Sequence, residues 1–193
     1  MISQVFRRVR LSWLFASFLL FPALAAAAIL LYATIGGEPL ALRTTQLLPQ
    51  AIVILLVALG EEFGWRGYAL PKLQQSFGPL SSSLILGLVW GFWHYPGYLI
   101  GVGLPLEMPF VVFLLWVLLA TILMTWFFNR TGSLLAAILM HIAANATFNY
   151  LPLLPEFAGQ QVTFLIFLSL LGVIVVSVVA NSKLKKPELK SDC

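Results

Sequence analysis

Long apolar runs alternate along this chain with short breaks made of turn residues. The runs fall at about 11–35, 47–66 or beyond, 81–100, 109–128, 133–150 and 162–181. The breaks are Gly36-Gly37-Glu38-Pro39, Ser76-Phe77-Gly78-Pro79, 101–105, Asn129-Arg130-Thr131-Gly132 and 151–161. About 20 apolar residues carry a helix across the hydrocarbon core of a bilayer. Barrel strands would alternate at every second residue, and these runs do not. Backbone in lipid must satisfy its own hydrogen bonds, so the runs are read as helices. The pattern predicts an all-α, polytopic transmembrane helix bundle of about six spans, forming a single membrane domain over 1–193.

Composition agrees. Of the 193 residues, 61% are apolar and 9% are charged, against about 25% charged in soluble domains. The formal net charge of +4 would suggest nucleic acid as a partner in a soluble protein. Here the basic residues flank the bundle: Arg7, Arg8 and Arg10 at the front, Lys183, Lys185, Lys186 and Lys190 in a basic tail over 182–193. No nucleic-acid partner is expected; membrane lipid is. With the first residue in the cytoplasm, Lys72 and Arg130 join these seven on the inner side, and only Arg43 falls outside. Positively charged loops stay cytoplasmic, so both termini are expected in the cytoplasm of a multi-pass cell-membrane protein, with short loops that look bacterial. The basic front, the run from Leu11 and the small residues 23–28 resemble a secretory signal. The apolar stretch nevertheless continues to about Ile35, too long for one, and an uncleaved first helix is expected. One cysteine, Cys193, excludes an intrachain disulfide and a cysteine metal site.

The polarity left inside the spans is concentrated. The second run leads into Glu61-Glu62-Phe63-Gly64-Trp65-Arg66, the third holds Trp90-Gly91-Phe92-Trp93-His94, and the fifth holds His141-Ile142-Ala143-Ala144-Asn145. Both histidines of the chain lie in apolar spans. An ionisable group at the bilayer centre costs about 2.5–3.5 kcal/mol, so a passive scaffold has no reason to carry several. Glu62 and Arg66 stand at i and i+4 and can pair on one face. Glu61 points about 100° away and is left for another task. His141 and Asn145 share a face in the same way, and Trp90 stands one turn before His94. At 1.5 Å per residue, His141 lies about 12 Å from Ser133 and His94 about 20 Å from Ser81. Glu61 reaches a matching depth if its helix runs on towards Gln75, kinked or broken at Pro71.

Taken singly, each feature has a plain structural reading. A lone membrane histidine commonly bonds a neighbouring helix, a Glu-Glu pair at a helix end is commonly interfacial, and Trp65, Trp90, Trp93 and Trp126 suit packing or an aromatic belt. Together, two carboxylates, two imidazoles and an amide on three helices suggest water activation. A carboxylate or imidazole takes the proton, and an imidazole and an amide donate to the oxyanion. With a metal, the same set becomes two histidines and a glutamate, a hydrolytic zinc donor set.

At these residues the chain resembles the CPBP family, the CAAX prenyl endopeptidases of type II and bacteriocin-processing (Abi) enzymes. The family pattern is Glu-Glu-x-x-x-Arg, an aromatic-x-x-x-His and His-x-x-x-Asn or Asp, each on its own transmembrane helix. Here it reads Glu61-Glu62-x-x-x-Arg66, Trp90-x-x-x-His94 and His141-x-x-x-Asn145, with Trp90 where Phe is usual. The motif core spans about 55–150. Family members often have eight helices, and this chain reads as six. The resemblance implies an intramembrane endopeptidase whose cavity opens to the cytoplasm. It implies that Glu61 with His94 activates water, that His141 and Asn145 stabilise the oxyanion, and that Glu62 with Arg66 holds the motif helix. Glu61, Glu62, His94 and His141 are the available zinc donors; a metal-free site is favoured, because Asn145 is a poor zinc ligand and a good oxyanion donor. The implied substrate is a peptide pheromone, a bacteriocin leader or another membrane protein. The alternatives are a non-catalytic member acting in bacteriocin immunity or membrane-protein interaction, and a transporter. A transporter would favour inverted repeats, which the sequence lacks.

Overall fold

The computed structural model describes residues 9–38, 41–42, 47–101 and 107–182. Arg7, Arg8, Pro39, Arg43, the stretch 102–105 and the basic tail from 183 lie outside the described residues. Helices run over Leu11–Thr34 (α1), Leu47–Gly64 (α2), Leu70–Ser76 (α3), Pro79–Trp93 (α4), Tyr95–Ile100 (α5), Phe110–Thr131 (α6), Leu134–Tyr150 (α7), Pro155–Ala158 (α8) and Val162–Ser182 (α9). No strand occurs among the described residues. Five helical stretches are long and apolar enough to cross a membrane: Leu11–Thr34, Leu48–Ser76, Phe110–Thr131, Leu134–Ala158 and Val162–Asn181. The all-α bundle read from the sequence is the fold observed.

Two spans depart from straight helices, and proline accounts for both. The second continues through the Glu-Glu motif to Ser76, as the depth of Glu61 required, but it does not break at Pro71. A π-helical turn over Trp65–Ala69 precedes the proline, and the Leu70 N–H bonds the Trp65 carbonyl five residues back. Pro71 has no N–H to offer the preceding turn, and the wider turn absorbs the defect without ending the helix. The third predicted span, 81–100, is interrupted at His94. Pro96 cannot donate to Phe92, and the His94 N–H bonds Gly91 three residues back instead. The run is thus a 15-residue helix, α4, followed by the short α5.

The helices pack through small residues, as expected where lipid supplies no hydrophobic drive between them. Ala25 and Ala28 on α1 are fully buried in one cluster with Ala137, Met140 and Ala144 of α7. On α4, a side chain at Gly91 would run into Leu114, and a Cβ at Gly87 would lie 3.3 Å from the Leu118 backbone. These two glycines let α4 lie against α6. Trp116 of α6 centres the aromatic core, edge-on to Phe21 at 5.2 Å and Phe148 at 4.8 Å. Most hydroxyls inside the spans are silent: those of Ser17, Thr121 and Thr147 each donate to the carbonyl four residues back.

Two ends of the bundle can be told apart. At one, Trp13 meets Trp126 and Phe127, each at 5.5 Å, and Gln74 donates to Asn129 at 3.3 Å. Trp126, Arg130, Ser177 and Asn181 line a common groove there. At the other, the Glu107 N–H donates to Glu156 and Gln161 donates to the Glu107 carbonyl, both at 3.2 Å. The first end carries Arg10, Lys72 and Arg130, and the second carries Glu107 and Glu156.

Candidate active site

The buried polar centre is built on Glu62. Its Oε1 accepts from Arg66 Nη1 at 2.6 Å, one helical turn away, and from His141 Nδ1 of α7 at 2.8 Å. Glu62 and Arg66 are fully buried, and His141 is nearly so. Arg66 is held on two further sides: Nη2 lies 3.4 Å from Met124 Sδ of α6, and Cζ sits 4.6 Å from the centre of the Trp90 ring. A buried charge in lipid is tolerable only when paired. Here one guanidinium, one carboxylate and one imidazole tie α2, α4, α6 and α7 together.

Glu61 turns the other way, as helical geometry required. It lines a cavity of about 810 Å³, together with Trp90, His94, His141 and Asn145. Its Oε2 accepts from Trp90 Nε1 at 2.7 Å. The break in α4 equips His94. With its own N–H redirected to Gly91, the Trp90 carbonyl accepts from His94 Nδ1 at 2.7 Å. A carbonyl cannot donate, so Nδ1 carries a proton, and in the neutral ring the lone pair is on Nε2. His141 is oriented alike: its Nδ1 faces a carboxylate, which fixes the proton there and leaves Nε2 as the other functional nitrogen. Asn145 lies one turn beyond His141 on the same wall.

The structure therefore brings all four candidate catalytic residues to one cavity. The Trp90 ring stands beside both imidazoles, 5.9 Å from His94 and 5.4 Å from His141 by ring centres. Packing was the expected role for Trp90; it also holds Glu61 through its indole N–H and shields Arg66. Two neighbours were not foreseen, Met124 on Arg66 and Phe113, whose ring meets His94 edge-on at 5.3 Å. Both are apolar residues in an apolar helix, so nothing in their spacing sets them apart. Nor was Glu62–His141 foreseen, since it depends on how α2 packs on α7.

The cavity has a definite direction. It runs from Pro49, Gln50, Asn149 and Glu156 at the acidic end down to Glu61, Met124 and His141. Towards the basic end, Met124 and Trp90 of the lining touch the buried Arg66. The sequence reading placed the cavity opening and both termini on the cytoplasmic side. In this bundle the lining extends from Glu61 and His141 towards the start of α2 and the end of α7, the end opposite Arg10 and Asn181.

No three His, Cys, Asp or Glu side chains converge to hold a metal ion among the described residues. The Nδ1 partners of the two imidazoles are ones a metal-bound histidine also has; what the site lacks is convergence of the donors, with the Trp90 ring bordering both imidazoles and its N–H holding one Glu61 oxygen. As arranged, Glu61, His94 and His141 do not fit a zinc site.

A family profile described as "Type II CAAX prenyl endopeptidase Rce1-like" matches residues 43–147. That stretch is more than half of the chain and contains all three motifs. The chain belongs to this family. A member from Methanococcus maripaludis named "CAAX prenyl protease 2" is 30% identical over 142 residues, 66% of this chain. The match spans 52% of that relative, so the chain corresponds to about half of its length. Family membership fits the helical membrane architecture and the three motif helices that meet at the cavity.

Proposed function

We propose that this protein is an intramembrane endopeptidase of the cell membrane, hydrolysing a peptide bond with water activated by Glu61 and His94. The observation that carries the reading is the meeting of Glu61, His94, His141 and Asn145 from three helices at one cavity. Glu61 keeps one oxygen free of Trp90 to take a proton from water. His94, with its lone pair on Nε2, shares that proton. The water oxygen bonds to the carbonyl carbon and the carbonyl oxygen takes up the negative charge. His141, held by Glu62, and the Asn145 amide stabilise that oxyanion. The C–N bond then breaks, and the proton taken up by Glu61 and His94 goes to the leaving nitrogen. The products are a carboxylic acid and an amine, the acid then passing its proton to the amine or to water, and no metal enters the steps.

The name of the archaeal relative points to a prenylated peptide. The walls beyond the polar centre, Val53, Ile54, Phe113, Trp116 and Phe148, suit any peptide with an apolar anchor. The test is cleavage of a tagged peptide library by purified protein, alongside Glu61→Gln. Cleavage by the parent and none by the variant supports the reading. Equal cleavage removes Glu61 as the base, and no cleavage by either favours a member that keeps the fold without turnover.

A further inference from the structure

The groove at the basic end of the bundle shares no residue with the cavity that holds Glu61 and His94. In it Trp126 and Arg130 of α6 face Val173, Ile174, Ser177 and Asn181 of α9. Polar and apolar residues are sorted by depth. Arg130 and Asn181 stand at the ends of their helices and Ser177 one turn inside. Val173, 66% exposed, lies a further turn in, about 12 Å from Asn181 along the axis. The Arg130 guanidinium rests 5.7 Å from the centre of the Trp126 ring, a cation–π contact. No described carboxylate pairs with it, since the ion pairs among the described residues are those of Glu62. Asn181 gives one amide N–H to the Ser177 carbonyl at 2.9 Å and has a second to donate.

We propose that this groove binds an anionic glycerophospholipid, with its phosphate on Arg130 and Asn181 and an acyl chain along Val173 and Ile174. A guanidinium that no carboxylate neutralises presents a planar fork of donors, and phosphate oxygens match it. Donors at the helix ends and an apolar wall further in repeat the order of headgroup and chain in a phospholipid. A zwitterionic headgroup would bring its own cation towards Arg130; an anionic one does not. In the sequence a further basic run, Lys183, Lys185 and Lys186, begins two residues beyond Asn181, and such juxtamembrane charge favours anionic lipid. The site stands apart from Glu61 and His94 and does not rest on the endopeptidase reading.

The probes are phosphatidylglycerol and phosphatidylcholine of equal chain length, offered as an equimolar mixture to the purified full-length protein in detergent. Native mass spectrometry reads which lipid stays bound. Retention of phosphatidylglycerol over phosphatidylcholine is expected, and Arg130→Gln should lower that preference roughly fivefold. Asn181→Leu leaves every charge in place and should weaken phosphatidylglycerol binding by removing a donor. Both positions are exposed, so melting temperatures close to that of the parent are expected. Lys72→Gln removes an exposed cation at the same end but outside the groove and should keep the preference. No preference in the parent, or unaltered binding in either groove variant, overturns the site. An equal loss in Lys72→Gln and Arg130→Gln overturns it too, because the attraction is then diffuse. Displacement of the lipid by inorganic phosphate would mark a free-anion site and overturn the phospholipid as its occupant.

Discussion

Glu62 and His141 meet across α2 and α7 at 2.8 Å, Oε1 to Nδ1, while the same oxygen holds Arg66 at 2.6 Å. One carboxylate thereby orients a site imidazole and neutralises the buried cation. A residue expected to brace its own helix also sets the position of a residue on another. Glu62→Ala should therefore impair catalysis through His141 as well as stability.

Arg66→Ala leaves Glu62 charged with only an imidazole beside it. Breaking a buried pair costs about 3–5 kcal/mol, and a marked fall in the melting temperature in detergent is expected. Glu62→Gln combined with Arg66→Gln should recover part of the loss by removing both charges. An unchanged melting temperature in Arg66→Ala would contradict the pairing.

The spans were legible in the sequence because run length is a direct statement about bilayer thickness: 11–35 became Leu11–Thr34 and 162–181 became Val162–Ser182. The break at His94 was less so. Pro96 was visible, but the freed Trp90 carbonyl that now holds the imidazole follows only from the hydrogen bonds around it. Motif spacing also separated Glu61 from Glu62 by face. It could not say from which end the cavity is reached, because an i, i+4 pair looks the same from above and below. Met124 and Phe113 became visible only when α6 was packed against α2 and α4.

Trp90→Phe tests the link between α4 and the proposed base. The variant keeps an aromatic ring beneath Arg66 but loses the N–H that Glu61 accepts at 2.7 Å. A hydrogen bond to a charged group is worth about 1.5–3 kcal/mol. Turnover should fall roughly ten- to a hundredfold with little change in melting temperature. Trp90→Ala should lower both. Full activity in Trp90→Phe would show that Glu61 needs no such restraint.

Gly87→Leu should separate α4 from α6. Even a Cβ there lies 3.0 Å from Leu118 Cδ2 and 3.3 Å from its Cα, so the backbone has to move. His94 would move with it, and loss of peptide cleavage together with a lower melting temperature is expected. Gly78→Ala, with nothing within 4 Å of the added carbon, is the control and should melt close to the parent protein.

Metal dependence has an outcome that follows from the donor atoms. Tetrahedral zinc needs its ligands at about 2.0–2.2 Å. To supply Glu61, His94 and His141 together, the site would have to bring both Nε2 atoms and a Glu61 oxygen to one point. Trp90 stands against this, since its ring borders both imidazoles and its N–H holds Glu61 Oε2. Moving it would also uncover the Arg66 guanidinium stacked on the same ring. Asn145 adds an amide suited to an oxyanion and poor for zinc. Peptide cleavage should therefore persist after chelator treatment and dialysis, and elemental analysis of active protein should find well under one zinc per chain. One zinc per chain, with activity lost on stripping and restored on refilling, would require Trp90 to leave its position and would overturn the metal-free mechanism.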